Sequence, residues 1–163
     1  EDVNNLDLNY GLANRDQAWR AFLTGLYQLP WWDIQLSGAF RYLTGSPWTI
    51  TTGSDTNGDT NGGVDRPTIS GVHVDRNSER QPDYWSLDLR IGKPFQIGDV
   101  GDVLIFAECF NCTDEANWSI PTSNMVWGNA NQSEPSASQR SRFGQETTPG
   151  TPRTFQFGIR FDF

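Results

Sequence analysis

The stretch DTNGDTNGGVD, residues 55–65, sets oxygen-bearing side chains at alternate positions: Asp55, Asn57 and Asp59. That is the opening rhythm of a calcium loop, in which positions 1, 3 and 5 converge on a hard cation. The rhythm then breaks. Thr60 stands where the sharp turn needs glycine, and Arg66 where the bidentate glutamate belongs. An EF-hand is therefore not expected. Two expectations stay open for the 55–65 loop: weak Ca2+ binding, with Asn61 and Asp65 joining, or a polar, turn-rich loop without an ion.

Other reactive groups are sparse. Cys109 and Cys112 frame the run CFNC. A C-x-x-C at a helix start can be a redox motif, but this one follows a strand-like run. Three residues along an extended strand put Cα atoms about 10 Å apart with side chains on opposite faces. A disulfide spans no more than about 7 Å, so neither a bridge nor a redox or metal role is expected. His73 is the only histidine and lies near Asp75 in a loop. No G-x-S-x-G, H-E-x-x-H or phosphate-cradling glycine loop occurs, and no carboxylate pair stands out. The chain is not expected to be an enzyme. Trp118 and Trp127, with Asn117, Asn124, Asn129 and Asn131, suit contact with a sugar or peptide and equally suit a self-packed loop.

The elements that must position these groups read as strands. Hydrophobic residues make up 36% of the chain and aromatic ones 13%, with seven Trp and ten Phe. Aromatic runs joined by polar turn residues point to an all-β protein. Five segments alternate apolar and polar residues, over about 16–29, 33–45, 84–95, 102–112 and 153–163. Trp19, Ala21, Leu23, Gly25 and Tyr27 share one face of the first; Ile34, Leu36, Gly38, Phe40 and Tyr42 share one face of the second. Trp85, Leu87, Leu89 and Ile91 do so in the third, and Phe155, Phe157, Ile159, Phe161 and Phe163 in the last. The fourth segment is apolar on both sides. Val103, Ile105, Ala107 and Cys109 are assigned outward because Glu108 marks the other face, and a carboxylate in lipid is costly. The opposite faces carry Arg20, Arg41, Asp88, Arg90, Glu108 and Arg160, with Gln35 and Gln156. Cross-strand pairing, such as Arg90 with Glu108, would hold register.

Connections between the segments run short, long, short, long; the two long ones have about 38 and about 40 residues. Antiparallel strands then gather the tight turns at one end and the long loops at the other. Short periplasmic turns and long extracellular loops are the anatomy of an outer-membrane barrel. Aromatic residues near both strand ends, among them Trp31, Trp32, Tyr42 and Trp85, fit interfacial girdles. No apolar run approaches the roughly 18 residues a membrane helix needs. A net charge of −8 and a pI near 4.5 argue against a nucleic-acid partner.

Several pieces resemble one family in order along nearly the whole chain. NRDQAWRAFLTGLYQLP and LSGAFRYLTGSPWTI resemble two successive strands of TonB-dependent outer-membrane receptors, in particular the Oar-like group with a carboxypeptidase-regulatory-like domain. DTNGDTNGGVDRP followed by RNSERQPDYWSLDLRIGKPF resembles that group's Asn/Asp/Gly loop, Asp-Arg-Pro step and Leu-Asp-Leu-Arg strand. LIFAECFNCTDEANW and PRTFQFGIRFDF resemble its last two strands. The run CFNC departs from the pattern. The resemblance implies that residues 1–163 are the C-terminal part of an antiparallel transmembrane β-barrel, with about five long strands and without the plug domain. It implies residence in the bacterial outer membrane, among its lipids and beside the remaining barrel strands and plug. It also implies coupling to TonB through the missing N-terminal part, and recognition of Phe163 by the barrel assembly machinery. Import of a bulky solute (a siderophore, oligosaccharide or peptide) would follow. A different expectation is a secreted β-sandwich binding module, carbohydrate-binding and calcium-dependent.

Overall fold

The computed structural model describes residues 5–60, 65–128 and 134–163. Strands follow in chain order as β1 (Arg20–Gln28), β2 (Gln35–Leu43), β3 (Pro47–Trp48), β4 (Thr68–Ile69), β5 (Val72–His73), β6 (Glu79–Arg80), β7 (Tyr84–Ile97), β8 (Gly101–Phe110) and β9 (Thr154–Asp162). Among the described residues the α-helix α1 (Ala137–Arg142) precedes β9, and Leu6–Asn9 and Thr122–Asn124 form short 3-10 turns. The chain divides into two units. One comprises Trp19–Leu43, Asp83–Asn117 and Gly150–Phe163; the other comprises Glu1–Ala18, Thr44–Pro82 and Trp118–Pro149.

The first unit is one antiparallel sheet in the order β1-β2-β7-β8-β9. Each long strand pairs with the next long strand along the chain. The β1–β2 turn closes through the Leu29 N–H on the Ile34 carbonyl at 2.8 Å, with Asp33 in the left-handed region at φ 53°. The β7–β8 turn closes through the Val100 N–H on the Ile97 carbonyl, 3.1 Å.

Register decides which side chains share a face, because residues directly opposite in an antiparallel ladder point the same way. Gly25, Gly38, Leu89, Cys109 and Phe155 are aligned across all five strands, and so are Tyr27, Leu36, Ile91, Ala107 and Phe157. Ile105 faces Ile159, and Val103 faces Phe161. The outward assignment of Val103, Ile105, Ala107 and Cys109 thus agrees with the structure. Much of the stripe stands bare, with Phe157 80% exposed and Leu23 70%, while Val103 is buried on it. Its one cation is Lys93, near the short-turn end of β7, with its Nζ 5.2 Å from the Phe95 ring centre; a long stem lets such a head reach the interface.

Strand ends differ from expectation. β1 begins at Arg20, not at 16; Asp16 belongs to the second unit, where it pairs with Arg80 at 2.5 Å. β7 runs on to Ile97. β8 stops at Phe110 because Asn111 turns into the left-handed region at φ 49°. That turn overturns the reading of CFNC: Cys109 and Cys112 are joined in a disulfide with Cα atoms 5.4 Å apart. The extended-strand spacing does not apply, since Cys112 lies beyond the strand.

The second unit gives the long connections structure of their own. Short pairs β3–β6 and β4–β5 form, and α1 starts on a capping box between Ser136 and Gln139. Trp48, Ile50 and Ile120 make a small core, flanked by Val74, Met125, Trp127 and Phe143. Each such side chain contributes roughly 1.5–3 kcal/mol when fully buried. Gln81 clips the two connections together: its amide donates to the Ile120 carbonyl at 3.0 Å and accepts the Ile120 N–H at 2.8 Å. A second clip is the parallel bridge between Thr51 and Val126. Residues before β1 are tied in as well. Arg66 donates to the Leu8 carbonyl, Arg76 to the Asn9 carbonyl and Asn77 to the Leu12 carbonyl.

On the polar face of the sheet, Gly158 stands opposite Phe106, whose ring would lie 2.2 Å from an added Cβ. The same ring carries the Arg90 guanidinium 4.0 Å from its centre. Gly158→Ala should push Phe106 aside, break this stack and cost on the order of 1–3 kcal/mol. In the whole protein, the temperature at which the folded, fast-migrating band is lost on a detergent gel should fall; an unchanged temperature would contradict the packing.

Candidate functional site

All six predicted charges, Arg20, Arg41, Asp88, Arg90, Glu108 and Arg160, fall on the face opposite the aromatic stripe. The sheet positions them by register alone. Arg41 on β2 donates to Asp88 on β7 at 2.8 Å, and Arg90 on β7 to Glu108 on β8 at 3.1 Å. Asp88 also accepts the Asn111 N–H at 2.9 Å, which ties the end of β8 to β7. Arg160 pairs with Asp162 on its own strand at 2.8 Å. Arg20 stands opposite Leu43. These pairs are half-exposed, so each is worth about 0–1 kcal/mol. Their larger effect is geometric: charges of both signs are fixed in a ladder across three strands. The Ser86 hydroxyl and the Arg41 Nε, opposite one another on that face, are buried without hydrogen-bond partners.

Between the pairs lies an open groove of about 350 Å³, whose lining includes Thr24, Ser37, Ala39, Asp88, Arg90 and Glu108. Small side chains on β1 and β2 leave the space, and β7 and β8 supply the charges. Such a surface can hydrate a passage or hold a polar segment by hydrogen bonds. The face is not uniformly polar: Phe22 and Leu26 also lie on it.

Residues 55–60, the described first part of the 55–65 loop, are organised around Asp65, which is fully buried. Its carboxylate accepts the Thr56 N–H at 2.6 Å, the Thr56 hydroxyl at 2.8 Å and the Asn57 N–H at 3.2 Å. Asp55 accepts the N–H groups of Gly58 and Thr60, and Asn57 accepts that of Asp59. Oxygens of Asp55, Asn57 and Asp65 that could face an ion therefore hold the loop's own backbone. Among the described residues, no group of three or more His, Cys, Asp and Glu side chains is placed to hold a metal. Asn61 lies outside the described residues.

Of the ring and amide candidates, Trp118 is 43% exposed. Trp127 packs edge-on against Phe143 with ring centres 4.7 Å apart, as part of the small core. Asn117 pairs with the Trp85 backbone through both ends of its amide, and Asn124 donates to the Gln145 carbonyl at 2.9 Å. Asn129 and Asn131 lie outside the described residues. Sequence reasoning missed the organising residues Asn77, Asn111 and Gln81. The available signal was asparagine just past a strand or inside a turn, where it adopts left-handed backbone more readily than most residues; Asn77, Asn111 and Asn117 all do so.

A family model described as an outer membrane beta barrel domain matches residues 70–156, more than half of the chain. No curated protein and no solved structure matches it.

Burial pushes the Asp65 carboxyl up, but the hydrogen bonds from Thr56 and Asn57 outweigh it and hold it below the usual carboxylate range. A carboxyl held low contributes stability that is fully present above its unfolded value, about 3.9. That contribution is lost as pH falls through the lower folded value. Hydrogen exchange at residues 52–60, corrected for intrinsic rates, should stay slow down to about pH 4 and quicken below it. Asp65→Asn should abolish this acid step and weaken the loop by roughly 1–3 kcal/mol at neutral pH. Retention of the acid step in the variant would refute the role given to Asp65.

Proposed function

We propose, from the premise that this chain belongs to the outer membrane beta barrel domain family and so resides in the bacterial outer membrane, that it forms part of the wall and external loops of a TonB-dependent receptor importing a bulky solute. The observation that carries the reading is the division of the sheet into two unlike faces. One is a mostly aromatic and aliphatic stripe, interrupted by Lys93 near the short-turn end, suited to lipid. The other is a ladder of paired charges beside an open groove, suited to a hydrated lumen.

In this proposal the role is passage rather than catalysis. The ladder hydrates the passage and meets a plug. Further strands of the same barrel pair with the free edges of β1 and β9. The long connections, with their shared core, present a surface to solute; among the proposed contacts, exposed Trp118 is better placed than packed Trp127. In the described part of the 55–65 loop, oxygens of Asp55, Asn57 and Asp65 bind the loop's own backbone. TonB acts through a part of the receptor outside this chain. Phe163, on the outward stripe just past β9, is the residue the assembly machinery reads. The ordered run of strand motifs and the strict alternation of short and long connections support the TonB-dependent assignment.

The test uses the whole protein in cells, supplied with labelled ferric siderophores, oligosaccharides and peptides. Uptake of one of these probes should depend on the gene for the receptor and stop when the inner-membrane energy-coupling protein is removed. Deleting Phe163 should lower the amount in the membrane several-fold while leaving uptake per inserted molecule unchanged. Uptake that persists without energy coupling, or a normal membrane level of the deletion, would contradict the proposal.

A further inference from the structure

The disulfide at the end of β8 has no part in the passage just described, and its position constrains when it can form. Cys109 sits on the outward stripe between Leu89 of β7 and Phe155 of β9. Cys109 lines a groove of about 410 Å³ whose walls also include Leu36, Leu89, Ile91, Ala107 and Phe155. Thiol–disulfide exchange needs a thiolate attacking a reachable sulfur. Apolar surroundings disfavour the thiolate, and lipid around this stripe would keep a soluble oxidant or reductant out.

The pair also brackets a structural hub. Asn111, between the two cysteines in sequence, is buried and left-handed. Its side chain donates to the Glu115 carbonyl at 2.7 Å and to the Thr151 carbonyl at 3.0 Å, and its N–H donates to Asp88. The Cys112 N–H extends the pairing with β7 by donating to the Leu87 carbonyl at 2.8 Å. Closing Cys109 to Cys112 fixes the turn that carries Asn111, and Asn111 in turn anchors the lead into β9.

We infer that Cys109–Cys112 is an oxidation site closed in the periplasm before the sheet enters the membrane, by a protein disulfide oxidoreductase acting in its disulfide form. One cysteine thiolate attacks a sulfur of the oxidant's disulfide, forming a mixed disulfide and releasing the oxidant's other thiolate. The second cysteine thiolate attacks the mixed disulfide at the first cysteine's sulfur. The Cys109–Cys112 bond forms and the oxidant leaves as a dithiol, having taken up two electrons and two protons. Oxidation is thereby an assembly step for the β8–β9 corner, and insertion seals the bond.

The experiment follows the redox state of the whole protein in cells. Dithiothreitol is added either during synthesis or after the protein has reached the outer membrane. Acid quenching, alkylation and mass spectrometry of the peptide holding both cysteines then give the ratio of disulfide to thiol. In untreated cells the inserted protein should be at least tenfold more disulfide than thiol. Dithiothreitol added after insertion should leave that ratio unchanged; added during synthesis, it should give alkylated thiols and several-fold less inserted protein. The double variant C109A/C112A should show the same loss of inserted protein without dithiothreitol, and no further loss with it. Free thiols in the untreated inserted protein, ready reduction after insertion, or a normal inserted level of the double variant would each overturn the inference.

Discussion

Lipid offers a backbone amide no hydrogen-bond partner, and the arrangement of this sheet follows from that constraint. Strands that cross a bilayer must satisfy one another. Once β1, β2, β7, β8 and β9 are laddered in their observed register, opposite residues share a face and the two faces cannot be chosen independently. Slipping β9 by one residue would carry Phe155, Phe157, Ile159 and Phe161 to the side of Glu108 and Arg90. The large rings thus do more than contact lipid. They make every slip by an odd number of residues costly.

The polar face answers to the same register. Arg90 meets Glu108 directly opposite it, and Arg41 meets Asp88 on the diagonal, two residues along β7 from its direct partner Ser86. Each pair is weak in energy, but together they spread charge of both signs along a surface that also keeps an open groove. Glycine and the aromatic ring share one more step, where Phe106 covers Gly158 and supports Arg90. The second unit follows different rules. It buries a few rings and aliphatic side chains, and otherwise relies on Asp65, Asn77 and Gln81 to satisfy irregular backbone.

Legibility in the sequence tracks the range of the interactions. Alternation in FQFGIRFDF has a period of two and needs only near neighbours, so β9 and its facing could be read directly. A single carboxylate, Glu108, was enough to orient β8, although both of its faces are apolar. The Arg90–Glu108 pair was readable because a tight turn joins its two strands. The start of β1 was not; Asp16 belongs to the second unit, where it pairs with Arg80, sixty-four residues away. The disulfide was missed because straight-strand geometry was extended past Phe110, where one left-handed asparagine reverses it. Trp127 looked available to a ligand only because the core it joins, with Trp48 and Phe143, comes from distant segments.

The central claim is that alternate residues of the sheet face lipid and lumen. It is tested most directly by placing single spin labels at positions 155, 156, 157, 159, 160 and 161 in the whole protein, reconstituted in bilayers, with the native cysteines replaced by alanine. Accessibility to oxygen, which concentrates in lipid, should peak at 155, 157, 159 and 161. Accessibility to a water-soluble nickel chelate should peak at 156 and 160. Two patterns out of phase with a period of two residues are the predicted result; uniform nickel accessibility along the strand, or oxygen maxima at the even positions, would contradict it.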